Sequence, residues 1–320
     1  MAKEFIISVD LGGTKILTAM LNKNKEIIER VKLATDISKG AANVVKSIAE
    51  SVKQLLEKTG KTQNEIIAIS MGVPGTVDPH TGIIGNAPNL GIRNYNIKNA
   101  LQKNFQIPVL IENDVNLAAL GIKKFEFNDN VKNMLVVFVG TGIGGALIFD
   151  GKLYRGSSFF AGEIGHMKVT GKGSLSGSAT NSTFELLASR TAIVKAIRKD
   201  IRAKKRNGKD FSKAKIKSKV LAAAVKKNDR IVTRHINNSC EIIGTVLGSI
   251  TTLLNIDTIV LGGGVLEALN KYMMPKIKAA YKKSVLPEPG KKVKIVATKL
   301  GDDAPLYGGI SLAEEFAKKL

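Results

Sequence analysis

A strand, a glycine-rich turn and a second strand occur twice in this chain. The apolar run Phe5–Val9 ends in Asp10-Leu11-Gly12-Gly13-Thr14-Lys15, and Ile16–Leu21 resumes strand character. Met134–Val139 ends in Gly140-Thr141-Gly142-Ile143-Gly144-Gly145, and Ala146–Phe149 follows, closed by the hairpin turn Asp150-Gly151. A repeat of this architecture predicts two related halves. A third strand, Thr258–Leu261, meets Gly262-Gly263-Gly264 with a helix behind it. Glycine in such turns lets backbone amides approach an anion with no Cβ in the way. Three of them in one chain point to a nucleotide.

The segments between the turns read as mixed α/β. After the first hairpin come a strand near Ile27–Leu33, a helix over Ala41–Leu56, and the strand Ile66–Ser70 entering the Gly- and Pro-containing loop Met71–Pro79. A short helix near Ile97–Lys103 and the strand Pro108–Ile111 follow. Beyond the second hairpin the pattern is mainly helical: Phe184–Arg202, Lys217–Lys226, Arg230–Leu254 and a last helix near Ala304–Lys318, with a strand at Val293–Ala297. Strands and helices alternating in this way predict a mixed sheet with helices against it.

The second turn satisfies G-x-G-x-x-G through Gly140, Gly142 and Gly145, with the acid Glu163 about twenty residues on. Those glycines open a helix in a dinucleotide site. Here the following residues read as a hairpin, so dinucleotide binding is rejected. No G-x-x-x-x-G-K-[ST] phosphate loop is present. The first turn carries more chemistry. Asp10 beside a phosphate-cradling turn can hold Mg²⁺ directly or through water, and Thr14 adds a hydroxyl. A plain hairpin with a solvated acid and lysine is the alternative.

Glu112-Asn113-Asp114 follows the strand Pro108–Ile111 and precedes the apolar-periodic run Val115–Leu120. One of Asn113 and Asp114 reads as a helix N-cap. The functional alternative makes Asp114 a general base and Asn113 a hydrogen-bond partner for a polyol. Ala161-Gly162-Glu163-Ile164-Gly165-His166 presents an acid and a histidine between glycines, and Glu185 opens the next helix. Asn113, Asp114, Glu163, His166 and Glu185 supply the acceptors and donors that sugar hydroxyls need.

At 320 residues, 44% hydrophobic and 24% charged, the chain is long enough to bury a core without disulfides. Its one cysteine, Cys240, allows neither an intrachain disulfide nor a cysteine-based zinc site, which fits a reducing compartment. The start, MAKEFIISVD, lacks the order of a signal peptide, and no apolar run reaches the roughly 18 residues of a spanning helix. A cytoplasmic protein without membrane contact is expected. The net charge of +22 concentrates in Lys195–Lys219, which holds twelve basic residues against Asp200 and Asp210. With Phe211 as its only aromatic, the segment has little to stack on bases and reads as a solvated helix face and loop. Nucleic acid is disfavoured as a partner.

In order, Asp10–Lys15, Gly72–Gly75, Asn86-Ala87-Pro88-Asn89-Leu90, Glu112–Asn116, Gly140–Gly145, Ala161–His166, Glu185 and Leu261–Gly264 resemble the motifs of the ROK family over nearly the full length. The resemblance implies an α/β, two-domain actin-like (ribonuclease-H-like) ATPase fold with an interdomain cleft. The expected division is a 1–117 N-terminal domain and a larger 118–303 domain, with the C-terminal helix 304–320 packing back on the first. It implies transfer of phosphate from ATP, with Mg²⁺, to the primary hydroxyl of a hexose, glucose above all. Asp114 resembles the catalytic base; Asn113, Glu163, His166 and Glu185 resemble the sugar-binding set, with Gly75 and Asn89 at its rim. Asp10, Gly12, Gly13, Thr14 and Lys15 look like the first phosphate loop; Gly140, Thr141, Gly142, Gly144 and Gly145 look like the second. Gly262, Gly263 and Gly264 resemble the turn beside the adenosine. The family also suggests a homodimer.

Many members carry three cysteines after the histidine that complete a zinc site. Here Ser176, Ser178 and Thr183 stand at those positions, so no structural zinc is expected. Polyphosphate-using relatives lack the cysteines too, and a polyphosphate-dependent glucokinase or an N-acetylhexosamine kinase are the alternatives within the kinases. Outside them stands a sugar-sensing regulator. Family repressors carry an N-terminal helix-turn-helix, and the few residues before the first strand here argue against that branch.

Overall fold

A computed structural model describes residues 3–169, 182–203, 211 and 216–318. The first part of the chain forms the strands β1 (Phe5–Leu11), β2 (Lys15–Leu21), β3 (Ile27–Ala34), β4 (Ile66–Val73), β5 (Thr76–Asp78), β6 (Ile83–Ala87), β7 (Ile92–Asn96) and β8 (Val109–Asn113). With them come the helices α1 (Ala41–Thr59), α2 (Ile97–Gln102) and α3 (Asp114–Phe127). The strands β9 (Met134–Val139), β10 (Ile143–Phe149), β11 (Lys152–Tyr154), β12 (Thr258–Gly262) and β13 (Lys294–Ala297) follow. The later helices are α4 (Phe184–Ala188), α5 (Arg190–Ala203), α6 (Ser218–Lys226), α7 (Arg230–Leu254), α8 (Gly264–Ser284), α9 (Pro287–Gly290) and α10 (Ala304–Ala317).

The duplication is plain in the topology. One five-stranded sheet has the order β3-β2-β1-β4-β8 and the other β11-β10-β9-β12-β13, the same sequence of positions in each. In the first, β1 pairs antiparallel with β2 and parallel with β4, and β4 pairs parallel with β8. In the second, β9 and β12 are parallel, as are β12 and β13. Strands covered on both faces read as continuous apolar runs; all five residues of β12 are buried. The edge strand β3 instead buries only Val31 fully. The β10–β11 turn is the predicted Asp150-Gly151, with φ of 49° and 75°, as a two-residue hairpin turn requires.

The chain divides into two compact units, 1–131 with 146–161 and 302–320, and 132–145 with 162–301. In the first, α1 lays Val44, Ile48, Val52 and Leu55 on one face of the sheet, against Ile7, Val9, Ile69 and Met71. Leu306, Ile310 and Ala313 of α10 pack on Ile6, Ala19 and Ala68 on the other face. In the second unit, the long α7 buries one face with Ile236, Ile243 and Leu247 and packs along α8. Among the described residues, no helix is long and apolar enough to cross a membrane.

Two features depart from the sequence-based expectation. The loop Met71–Pro79 contains β5, part of a small antiparallel sheet in the order β5-β6-β7. The run Phe184–Arg202 is two helices, broken at Ser189, whose ψ is 163°. There the Ser189 hydroxyl accepts from the Ala192 N–H, so a local side-chain bond begins a new helix in place of the continuing ladder.

Candidate active site

In the first unit the C-terminal ends of the parallel strands β1, β4 and β8 lie side by side. Asp10 pairs with Gly72, and Gly72 with Glu112. Crevices at such strand ends are where open α/β sheets bind ligands. Asp10 is the penultimate residue of β1, and burial pushes its carboxyl up to about 6, with Lys15 opposing and Asp302 adding to the shift. The β1–β2 turn is tight: Gly12 N–H donates to the Lys15 carbonyl at 2.9 Å, and the Thr35 hydroxyl donates to the Gly12 carbonyl at 2.6 Å. Lys15 pairs with Asp302 at 2.5 Å. Thr14 at the tip is exposed.

Gly13 comes so close to Asn89 that a Cβ there would stand 2.9 Å from the Asn89 carbonyl oxygen. The first glycine turn and the expected sugar rim are therefore in contact. Gly75 has φ of 88°, a conformation that favours glycine, and lies against Asn86 and Ala87. Its carbonyl accepts from Asn113 Nδ2 at 3.1 Å. Asn113 is the N-cap of α3: its Oδ1 accepts from the N–H groups of Val115 and Asn116 at 2.9 and 3.1 Å. Asp114 is thus the first residue of the helix, where the dipole favours a carboxylate. The N-cap reading holds for Asn113, and Asp114 follows it as the first residue of the helix.

The second unit gathers the other predicted residues. The turn between β9 and β10 is closed by Gly140 N–H on the Gly142 carbonyl at 2.9 Å. Gly144 and Gly145 lie within β10, Gly145 packing against Ile164. The Glu185 carboxylate lies against Gly142 and accepts from the Ile143 N–H at 2.8 Å. Glu163 and His166 bound a short 3-10 turn, with His166 Nε2 3.8 Å from Glu163 Oε2. Burial raises the Glu163 carboxyl above its ordinary value, His166 opposes this, and Glu185 adds to it. These three side chains therefore share one electrostatic neighbourhood. Gly262 ends β12, Gly263 approaches the backbone of Val139, and Gly264 begins α8. The third glycine turn lies beside the second.

Sequence reasoning did not single out the residues that brace Thr141. Arg190 donates from its backbone N–H to the Gly140 carbonyl at 2.9 Å and from Nη2 to the Thr141 hydroxyl at 2.5 Å. The Thr191 hydroxyl donates to the Thr141 carbonyl at 2.7 Å. A cavity of about 690 Å³ opens at Thr141 and runs along α5, lined by Arg190, Lys195, Arg198, Lys199 and Arg202 with Val194 and Ile216. Part of the basic run Lys195–Lys219 thus lines a cavity; 204–210 and 212–215 lie outside the described residues, as do Ser176 and Ser178. Among the described residues, no cluster of three or more His, Cys, Asp or Glu side chains could hold a metal ion.

The sequence pattern of the ROK family matches residues 6–316. The chain belongs to the ROK family. A glucokinase of Halalkalibacterium halodurans is 30% identical over 316 residues, 97% of this chain and 94% of that one. An N-acetylmannosamine kinase of Vibrio cholerae is 32% identical over 276 residues, 83% of this chain and 88% of that one. The crystal structure of a ROK family glucokinase from Streptomyces griseus in complex with glucose and AMPPNP superposes with a TM-score of 0.82 at 27% identity, covering 97% and 99% of the two chains. The fold of this ROK protein is accordingly the actin-like ATPase fold that its duplicated sheets describe.

Proposed function

We propose that this ROK-family hexose kinase transfers the terminal phosphoryl group of ATP to the primary hydroxyl of glucose. One observation carries the reading. A single strand-end edge in the first unit gathers a glycine turn with an adjacent acid, Asp10, and an amide–acid pair, Asn113-Asp114, tied to the Gly75 loop. The first is suited to phosphate and the second to a polyol.

Asp114 accepts the proton of the attacking hydroxyl as phosphoryl transfer proceeds. Asn113, Glu163, His166 and Glu185 orient the sugar, with Gly75 and Asn89 as rim. The backbone amides of Gly13 and Thr14, and of Thr141 and Gly142, bind donor phosphates, while the Gly12 and Gly140 N–H groups close their turns. Gly262–Gly264 lies beside the adenosine. Magnesium keeps most of its shell as water and phosphate oxygen and takes one or two carboxylates, so the single hard donor Asp10 fits it. When bound there it would neutralise charge on the transferring phosphate.

The glucokinase relatives support glucose as the sugar, and the N-acetylmannosamine kinase relative supports the competing reading. A panel of glucose, mannose, allose, N-acetylglucosamine and N-acetylmannosamine, each with ATP and Mg²⁺, tests it. Glucose is expected to give the highest kcat/KM; a higher value for an N-acetylhexosamine overturns the assignment. The basic cavity beside Thr141 favours a second reading of the donor, an inorganic polyphosphate in place of ATP. Side-by-side rates with the two donors decide between them.

A further inference from the structure

We propose that Glu112 and Arg155 form a positioning pair that fixes the Asn113-Asp114 turn for phosphoryl transfer. The proposal rests on Asp114 being the base and adds the residues that hold it in place.

Glu112 is the penultimate residue of β8 and only 2% exposed. A buried carboxylate needs its charge matched and its oxygens bonded. One oxygen is bonded by groups flanking Asp114, and the charge is matched by Arg155. Oε1 accepts from the Asn113 N–H and from Asn116 Nδ2, each at 3.0 Å. Oε2 accepts from Arg155 Nε at 2.6 Å, a short charge-assisted bond. The backbone of Glu112 is held by the sheet opposite Gly72. Asn113 is therefore gripped through its N–H by Glu112, through Nδ2 by Gly75, and through Oδ1 by the start of α3. Asp114 is the next residue and inherits that geometry.

Arg155 arrives from a distant part of the same unit. It is the first residue after β11, and its side chain is 25% exposed. Its carbonyl accepts the Ala161 N–H at 3.1 Å, closing a turn in which Gly156 and Phe159 take φ of 71° and 65°. One residue thus braces the base-bearing turn with its side chain and, with its backbone, the segment that runs into Gly162-Glu163. The guanidinium also cancels a negative charge that would otherwise stand two residues from the base. A lysine would supply the charge but not the directed Nε–H.

The test is steady-state kinetics, with glucose and ATP each varied, of Arg155→Ala, Arg155→Lys and Glu112→Gln beside Asp114→Asn. Misplacing a reacting group by an ångström costs about 10²-fold. Arg155→Ala is expected to lose kcat on that scale with both KM values within about threefold of wild type, the pattern of a loss felt in the transition state. Arg155→Lys should retain most of the defect. Guanidinium ion at low millimolar concentration should restore turnover to Arg155→Ala and not to Asp114→Asn. Glu112→Gln, which keeps its shape, should lower kcat by about tenfold with unchanged KM. If Arg155→Ala does not fold, Glu112→Gln decides alone. A folded Arg155→Ala or Glu112→Gln with wild-type kcat, a raised KM alone, or a lower melting temperature with normal turnover overturns the positioning role. An active Asp114→Asn instead overturns the base assignment on which the proposal rests.

Discussion

Asn113 Nδ2 donates to the Gly75 carbonyl at 3.1 Å while Asn113 Oδ1 caps the helix that begins at Asp114. One amide thus does two things. Asn113→Ala should lose about 1 kcal/mol of stability with the cap. Asn113→Asp keeps an N-cap acceptor but sets a carboxylate oxygen against the Gly75 carbonyl and between Glu112 and Asp114, so it should lose stability as well as at least about tenfold in kcat/KM for glucose. Denaturant melts alongside glucose kinetics check both.

Asp10 supplies a pH prediction. Its folded value of about 6 lies above the ordinary 3.8. The folded chain therefore holds this proton more tightly than the unfolded chain. The resulting stabilisation is complete below the unfolded value and is lost as the pH rises through about 6. At pH 7 the ionised carboxylate opposes folding. Asp10→Asn should raise stability at pH 7 by up to about 3 kcal/mol, change it little near pH 4, and abolish turnover. Urea melts of the metal-free protein at the two pH values measure the difference, and equal stability changes at both would contradict it.

The second glycine turn depends on Arg190 through the bonds to Thr141 and Gly140. Arg190→Ala removes the side-chain bond and leaves the backbone one. A charge-assisted bond of about 1.5 kcal/mol converts to roughly a tenfold rise in the KM for ATP. The KM for glucose should stay constant. Initial-rate matrices in both substrates separate the two.

Zinc is expected to be dispensable. Neutral hydroxyls at Ser176, Ser178 and Thr183 are poor ligands for it, and Cys240 is buried within α7. Elemental analysis of protein purified without chelator should find well under one zinc per chain. A strong chelator, with Mg²⁺ restored, should leave the melting temperature and turnover unchanged. Stoichiometric zinc needed for activity would contradict this.

Much of the fold is legible in the sequence because its information is local. Apolar runs ending in Gly12-Gly13, Gly140–Gly145 and Gly262–Gly264 mark three strand ends, and the period of Val44, Ile48, Val52 and Leu55 marks α1. The β5-β6-β7 sheet escapes because Gly75, Pro79, Gly82, Gly85 and Gly91 punctuate its short strands and mark the stretch as loop. The break at Ser189 escapes because an apolar helical period runs through it, while the Arg190 N–H turns to the Gly140 carbonyl and the Ser189 hydroxyl starts a new helix at Ala192. At the site, Asn113 and Asp114 stand out through their place between a strand and a helix. Arg155, Arg190 and Asp302 do not, because each acts on a partner far along the chain and no short pattern surrounds it.

ATP-dependent phosphorylation of glucose with Asp114 as base is open to a direct test. The most direct measurement is formation of glucose 6-phosphate by wild-type protein and by Asp114→Asn, with ATP, Mg²⁺ and glucose at saturation. The wild type should turn over, and the variant should fall by at least about 10²-fold while keeping its fold and its glucose binding. No glucose 6-phosphate from the wild type, or an Asp114→Asn variant as fast as the wild type, would contradict the account.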